Sequence, residues 1–93
     1  MQYLVISRRI TERFSEADFA PLVPHEGARA RQLYAAGFTR QIWHRGDQPG
    51  ACQIVEADSI EGVRANLATL PLAAAGMIEF DIIPLMPYAG FNP

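Results

Sequence analysis

The sequence holds one cysteine, Cys52, no long apolar run and no block of like charge. A single thiol cannot close an internal disulfide, so no covalent framework holds this fold. With no secretory leader at the start of the chain, the lone thiol points to a reducing cytoplasm as the expected compartment. The longest apolar stretch, Leu70 to Ile78, is interrupted by Pro71 and Gly76 and is too short to span a bilayer. Net charge is only -2, and Arg8, Arg9 and Arg13 are diluted by Glu12, Glu16, Asp18 and Glu26. No basic face of the kind nucleic-acid binders carry is visible, so neither nucleic acid nor membrane is an expected partner. His25 and His44, the only histidines, lie far apart with no second ligand at metal spacing. The phosphate-cradling glycine loop, the nucleophile elbow and the Cys-x-x-Cys pair are all missing. No metal and no cofactor are therefore expected.

What the chain does have is apolar surface. Hydrophobic residues make up 49% of 93 residues. A single domain over residues 1–93 has a marginal core of its own, so this surplus invites a second copy to cover it. A homo-oligomer is the expected state.

The pattern of elements is β-α-β-β-α-β. Gln2 to Arg8 is rich in β-formers and reads as a strand buried on both faces. Ser15-Glu16-Ala17-Asp18 has the form of a capped helix start. Pro21 and Pro24 then allow two readings. One is a short turn at Ser15 to Ala20 followed by the main helix with Pro24 in its first turn; the other is one kinked helix. Either stops at Gly37. Phe38 to Arg45 and Ala51 to Ala57 form a hairpin through the turn-rich Gly46 to Gly50. Asp58-Ser59 caps a second helix whose Ile60, Val63, Leu67 and Leu70 recur at helical spacing and which ends at Pro71. Leu72 to Gly76 reads as a loop and Met77 to Leu85 as the last strand. The apolar tail, Pro87 to Pro93, is expected to cover a neighbouring subunit. This order is the ferredoxin-like α+β arrangement: a four-stranded antiparallel sheet with two helices on one face. A second copy packed sheet against sheet would cover the other face.

One carboxylate and one guanidinium draw attention. Glu26 shares a helical stripe with Ala30, Leu33 and Gly37, which turns it toward the sheet. Desolvation there raises a carboxyl pKa and suits it to general-base work. The alternative, a first-turn carboxylate facing water and favouring the helix dipole, stays open. On the next strand Arg40 alternates with Phe38, Ile42 and His44, so a fixed charge sits on a half-buried face. It needs an anion, either Glu26 or a ligand carboxylate. His25 lies beside Glu26 and either lines a pocket mouth or caps the helix. Tyr3 and Trp43 are packing residues or pocket walls, His44 is a surface or interface residue, and Cys52 is an apolar filler. Glu79 and Asp81 fall on the opposite sheet face, away from any acid–base work.

Glu26, then Gly37, Arg40, Trp43 and Arg45, then Asp58-Ser59, Leu70-Pro71-Leu72 and the strand around Met77 to Asp81, follow one another in an order and spacing that resemble the muconolactone Δ-isomerase family. The resemblance runs from the first strand to the last. It implies a ferredoxin-like subunit that pairs into a dimeric α/β barrel and assembles further, to decamers in some members. It implies a cofactor-independent isomerase of aromatic catabolism, shifting a double bond in a small carboxylated butenolide by removing a proton and returning it elsewhere. Glu26 then fits the base and Arg40 the cation, with His25, Tyr3 and Trp43 around the substrate. Two other expectations compete. A cofactor-free monooxygenase of the same superfamily would need a roomier aromatic pocket. A non-catalytic binding or assembly module would pair Glu26 with Arg40 and fill the interior.

Overall fold

A computed structural model describes residues 1–91. The chain runs β1 (Gln2–Arg9), α1 (Glu16–Phe19), α2 (Val23–Ala35), β2 (Thr39–His44), β3 (Ala51–Glu56), α3 (Ile60–Leu67), α4 (Pro71–Ala74) and β4 (Ile78–Pro84), with a 3-10 turn at Ala89–Phe91. The strands form one antiparallel sheet in the order β2-β3-β1-β4. This is the ferredoxin-like α+β fold expected from the pattern.

Local chemistry explains most boundaries. Ser15 and Asp18 make a reciprocal capping box at α1: the Asp18 N–H donates to Ser15 Oγ (3.3 Å) and the Ser15 N–H to Asp18 Oδ2 (2.7 Å). Pro24 occupies the first turn of α2, where its missing N–H removes nothing. The two-piece reading of the proline region is thus the one the fold adopts. At the other end of α2, Gly37 takes φ 84°, the Phe38 N–H donates to the Leu33 carbonyl and the Gly37 N–H to that of Tyr34. That is a Schellman motif, sealed by contact between buried Leu33 and Phe38.

The same motif corrects one expectation. Leu72 to Gly76 is not a loop. Pro71 opens the short helix α4, Gly76 ends it at φ 70°, and the Met77 N–H returns to the Leu72 carbonyl while the Gly76 N–H returns to that of Ala73. Proline starts this turn as well as ending the one before it.

The sheet has two unlike faces. Tyr3, Val5 and Ser7 point at the helices and are buried, whereas Leu4, Ile6 and Arg8 between them are only half-buried. The first strand is therefore not buried on both faces within this chain. Two apolar clusters fill the helix side. Tyr3, Val5, Leu33, Phe38, Val55, Val63, Leu67 and Leu70 form the larger; Phe19, Leu72 and Met77 form the smaller. The outer face carries Leu4, Ile6, Cys52 and Ile54, half-buried, beside Trp43 and Ile83, which are exposed. Arg8 binds Glu79 (2.8 Å) and Glu12 (3.0 Å) at its margin, so Glu79 lies on the face expected of it. The tail leaves Met86, Tyr88 and Phe91 exposed, and residues 92 and 93 of that expectation lie outside the described residues. No helix among the described residues is long and apolar enough to cross a membrane.

Candidate active site

Between the inner sheet face and α2 lies a cavity of about 810 Å³, a size common for small-molecule sites. Ser7 and Arg9 of β1, Glu26, Gly27 and Ala30 of α2, Thr39, Ile42 and His44 of β2, Gln53 of β3, Leu70, Leu72 and Phe80 line it, and the β2–β3 hairpin closes one side. That hairpin is held tightly. Arg45 donates to Asp47 in a bidentate pair (2.9 and 2.8 Å) and to the Ser7 carbonyl (3.3 Å). The guanidinium holds the Asp47 carboxyl down at about 2. Gly50 adopts φ 153°, and a Cβ there would fall onto the Ser7 carbonyl oxygen, so only glycine lets the hairpin lie against β1.

Glu26 faces inward, as the helical stripe suggests. Its Oε1 accepts the Leu72 N–H (3.0 Å) across 46 residues of sequence. Leu72 is the second residue of α4, and Pro71 before it has no N–H, so Glu26 satisfies the first free donor of that helix. Oε2 makes no hydrogen bond among the described residues. Burial lifts the Glu26 carboxyl above its ordinary value of 4.5, against the Leu72 N–H and the positive Arg9, which both pull it down.

Arg40 does not join it. Along β2 the register with β3 shifts between Thr39 and Gln41. Thr39 pairs with Val55, Ile42 with Gln53 and His44 with Ala51, all on the inner face, while Gln41 and Trp43 pair with outer-face residues. This β-bulge breaks the simple alternation on which Arg40 was placed beside Ile42 and His44. Arg40 is exposed and does not line the cavity, so the expected enclosure of one space by Glu26 and Arg40 is corrected. Tyr3 is corrected too. It is 2% exposed, packs in the larger cluster opposite Val55, and donates its hydroxyl to Met1 Sδ (3.6 Å), away from the cavity. His25 is exposed on α2, a quarter-turn from Glu26, and does not reach the lining. Trp43, half exposed, borders the lining from the edge strand, although its pairing with Cys52 puts it on the outer face of the sheet.

Two arginines border the cavity among the described residues, Arg45, which is tied to Asp47, and Arg9. The Arg9 guanidinium stacks over the Phe19 ring at 5.3 Å and has no carboxylate partner among the described residues. Strand parity could have found it, because Tyr3, Val5 and Ser7 point inward and Arg9 is the next in that series. Ending the strand at Arg8 hid it. His44 is likewise a lining residue rather than only a surface one. The interior is hollow at this end and Glu26 does not pair with Arg40, which is not the filled, paired interior expected of an assembly module.

Comparisons with known proteins bear on the fold and the family. No curated protein matches the chain in sequence. A solved muconolactone isomerase superposes with a TM-score of 0.79 at 18% identity, over 100% of this chain and 96% of the other. The 5-chloro-2-hydroxyhydroquinone dehydrochlorinase TftG of Burkholderia phenoliruptrix AC1100, solved with 2,5-dihydroxybenzoquinone, superposes with a TM-score of 0.70 at 14% identity, over 97% and 98%. Likeness at such identity speaks for the fold. The family is carried by the sequence itself: residues 1–90 match the model for muconolactone delta-isomerase, and the chain belongs to that family.

Proposed function

We propose that this protein is a cofactor-independent isomerase that moves a double bond in a small carboxylated butenolide, with Glu26 as the base. The observation that carries the reading is the state of Glu26. One oxygen is fixed by the Leu72 N–H, the other is free, and burial makes the carboxylate a stronger base than an exposed glutamate. The free oxygen takes the proton from the ring carbon γ to the lactone carbonyl. The electron pair passes through the ring double bond to the carbonyl oxygen, giving a dienolate. Returning the proton at the carbon α to the carbonyl completes the shift, with no atom gained or lost. In this reading Arg9, which lines the cavity, holds the substrate carboxylate in the role expected of Arg40. Conversion of muconolactone, followed by ultraviolet absorbance, tests this. Wild type converts it and Glu26→Gln does not; no conversion by wild type, or full activity in the variant, overturns the reading.

The outer sheet face supports assembly as part of the same proposal. Leu4, Ile6, Ile54, Ile83 and Trp43 form an apolar surface that no element among the described residues covers, and a second copy would cover it sheet to sheet. Light scattering should give a multiple of the chain mass, and Ile6→Asp should reduce it to the single chain.

A further inference from the structure

Of the residues described, only three polar side chains count among the buried ones, Ser7, Thr39 and Gln53, and all three line the cavity. Ser7 is spent on the backbone: its Oγ accepts the Ala51 N–H (2.9 Å) and donates to the Ala51 carbonyl (3.3 Å). Thr39 Oγ1 donates to Gln53 Oε1 (3.1 Å). The other amide atom of Gln53, Nε2, has no partner among the described residues, although the residue is 5% exposed. Yet no buried side-chain nitrogen or oxygen among them is left unsatisfied. Nε2 therefore reaches open space, and the open space that Gln53 borders is the cavity.

Packing does not explain a glutamine here. Its neighbours in register are Val5 and Ile42, with Ile82 beyond Val5, all apolar. A leucine or valine would fit that row at no desolvation cost. Thr39 fixes the amide oxygen, which turns the NH2 inward and holds it there. A fixed donor in the apolar row of Val5, Ile42 and Ile82 discriminates for a ligand oxygen, because a ligand without one leaves the donor unpaired.

We infer that the Thr39–Gln53 pair anchors a ring carbonyl oxygen of the substrate, with Gln53 Nε2 as the donor. The substrate class is then a small cyclic acid bearing a carbonyl on the ring, a lactone or a quinone, and not a cyclic ether or an all-carbon ring. This rests on the cavity being the substrate site. It does not rest on Glu26 acting as a base.

Two unreactive probes separate these claims: 5-oxotetrahydrofuran-2-acetate, which has the ring carbonyl, and tetrahydrofuran-2-acetate, which lacks it. Calorimetry on the wild-type protein should find the lactone bound about tenfold more tightly, the worth of one hydrogen bond. Gln53→Leu should abolish the preference and keep the ether's affinity, and the double variant Thr39→Val/Gln53→Leu, which leaves no stranded hydroxyl, should melt at or above the wild-type temperature. Thr39→Val, which frees the amide to turn, should weaken the preference partly. In wild type, the Gln53 side-chain NH2 resonances should shift with the lactone and not with the ether, a readout that survives if the leucine variant fails to fold. Equal affinity for the two probes, failure of the lactone to bind, or an unmoved preference in Gln53→Leu overturns the inference. Because neither probe can be isomerised, loss of the inference leaves the turnover test of Glu26 standing, and the converse holds too.

Discussion

At the Tyr3 end of the inner layer, Val55, Leu33, Phe38, Val63 and Leu67 close on one another; at the Ser7 end the same sheet and the same helix α2 stand apart around a cavity. The difference begins in helix length. α3 has 8 residues and ends at Leu67, so it roofs one end only, while α2 has 13 and passes over both. Beyond Leu67 the chain turns at Pro71 into α4, which buries a single residue, Leu72, and offers its first free N–H to Glu26. The sheet changes character in step. Inner positions are Tyr3 and Val55 at the filled end and Ser7 and Gln53 at the hollow one. One end is built for stability. The other keeps polar groups where apolar ones would pack better, the usual exchange at a functional site.

Substitutions can break this contrast. The largest effect belongs to the hollow end: Glu26→Gln should lower isomerisation by about 10²–10⁴-fold. The amide oxygen can still accept the Leu72 N–H, so thermal melting should change little. At the filled end the order reverses. Leu67→Ala should cost about 2–5 kcal/mol in denaturant titrations, since it empties a fully buried site, and Phe80→Leu in the cavity wall should cost about 1 kcal/mol. Equal losses at the two sites would erase the distinction. Gly50→Ala should cost about 1–3 kcal/mol by driving the hairpin off the Ser7 carbonyl, read as a lower melting temperature.

The smallest effect is in pH dependence. Arg9 holds the Glu26 carboxyl down, so Arg9→Met should move the acid limb of kcat/KM to higher pH. The stability contribution of Glu26 has the opposite sense to a paired carboxylate. Its folded pKa lies above the unfolded one, so its contribution is fully present below the ordinary glutamate value and is lost as pH rises through the raised one. At neutral pH the charged group therefore works against the fold, consistent with a residue kept for chemistry.

The element order was readable because each boundary has a local cause: the Ser15–Asp18 box, Pro24 in a first turn, Gly37 as a C-terminal stop, and Ser59 accepting the Gly62 N–H at 3.1 Å. Gly76 carried the same signal as Gly37, but reading Pro71 only as a terminator concealed the helical turn it begins. Glu26 was readable by its stripe. Its partner was not, because the bond to Leu72 joins residues 46 apart and depends on the unseen α4. Arg40 was misplaced for another reason. A bulge inserts one residue into a ladder without a marked sequence signature, and Thr39-Arg40-Gln41 contains neither glycine nor proline to announce it. Every face assignment before the bulge then changes sides relative to those after it. Nothing in the sequence marks Gln53, because a single glutamine in a strand has no period to violate.

The hollow end depends on an inward carboxyl whose proton affinity is raised by its surroundings. Carbon-13 NMR of the Glu26 side-chain carboxyl, followed through an acid titration of the wild-type protein, measures that property with no substrate present. The prediction is a midpoint clearly above the ordinary glutamate value of 4.5, moving further up in Arg9→Met. A midpoint at or below that value, unmoved by the loss of Arg9, would contradict it.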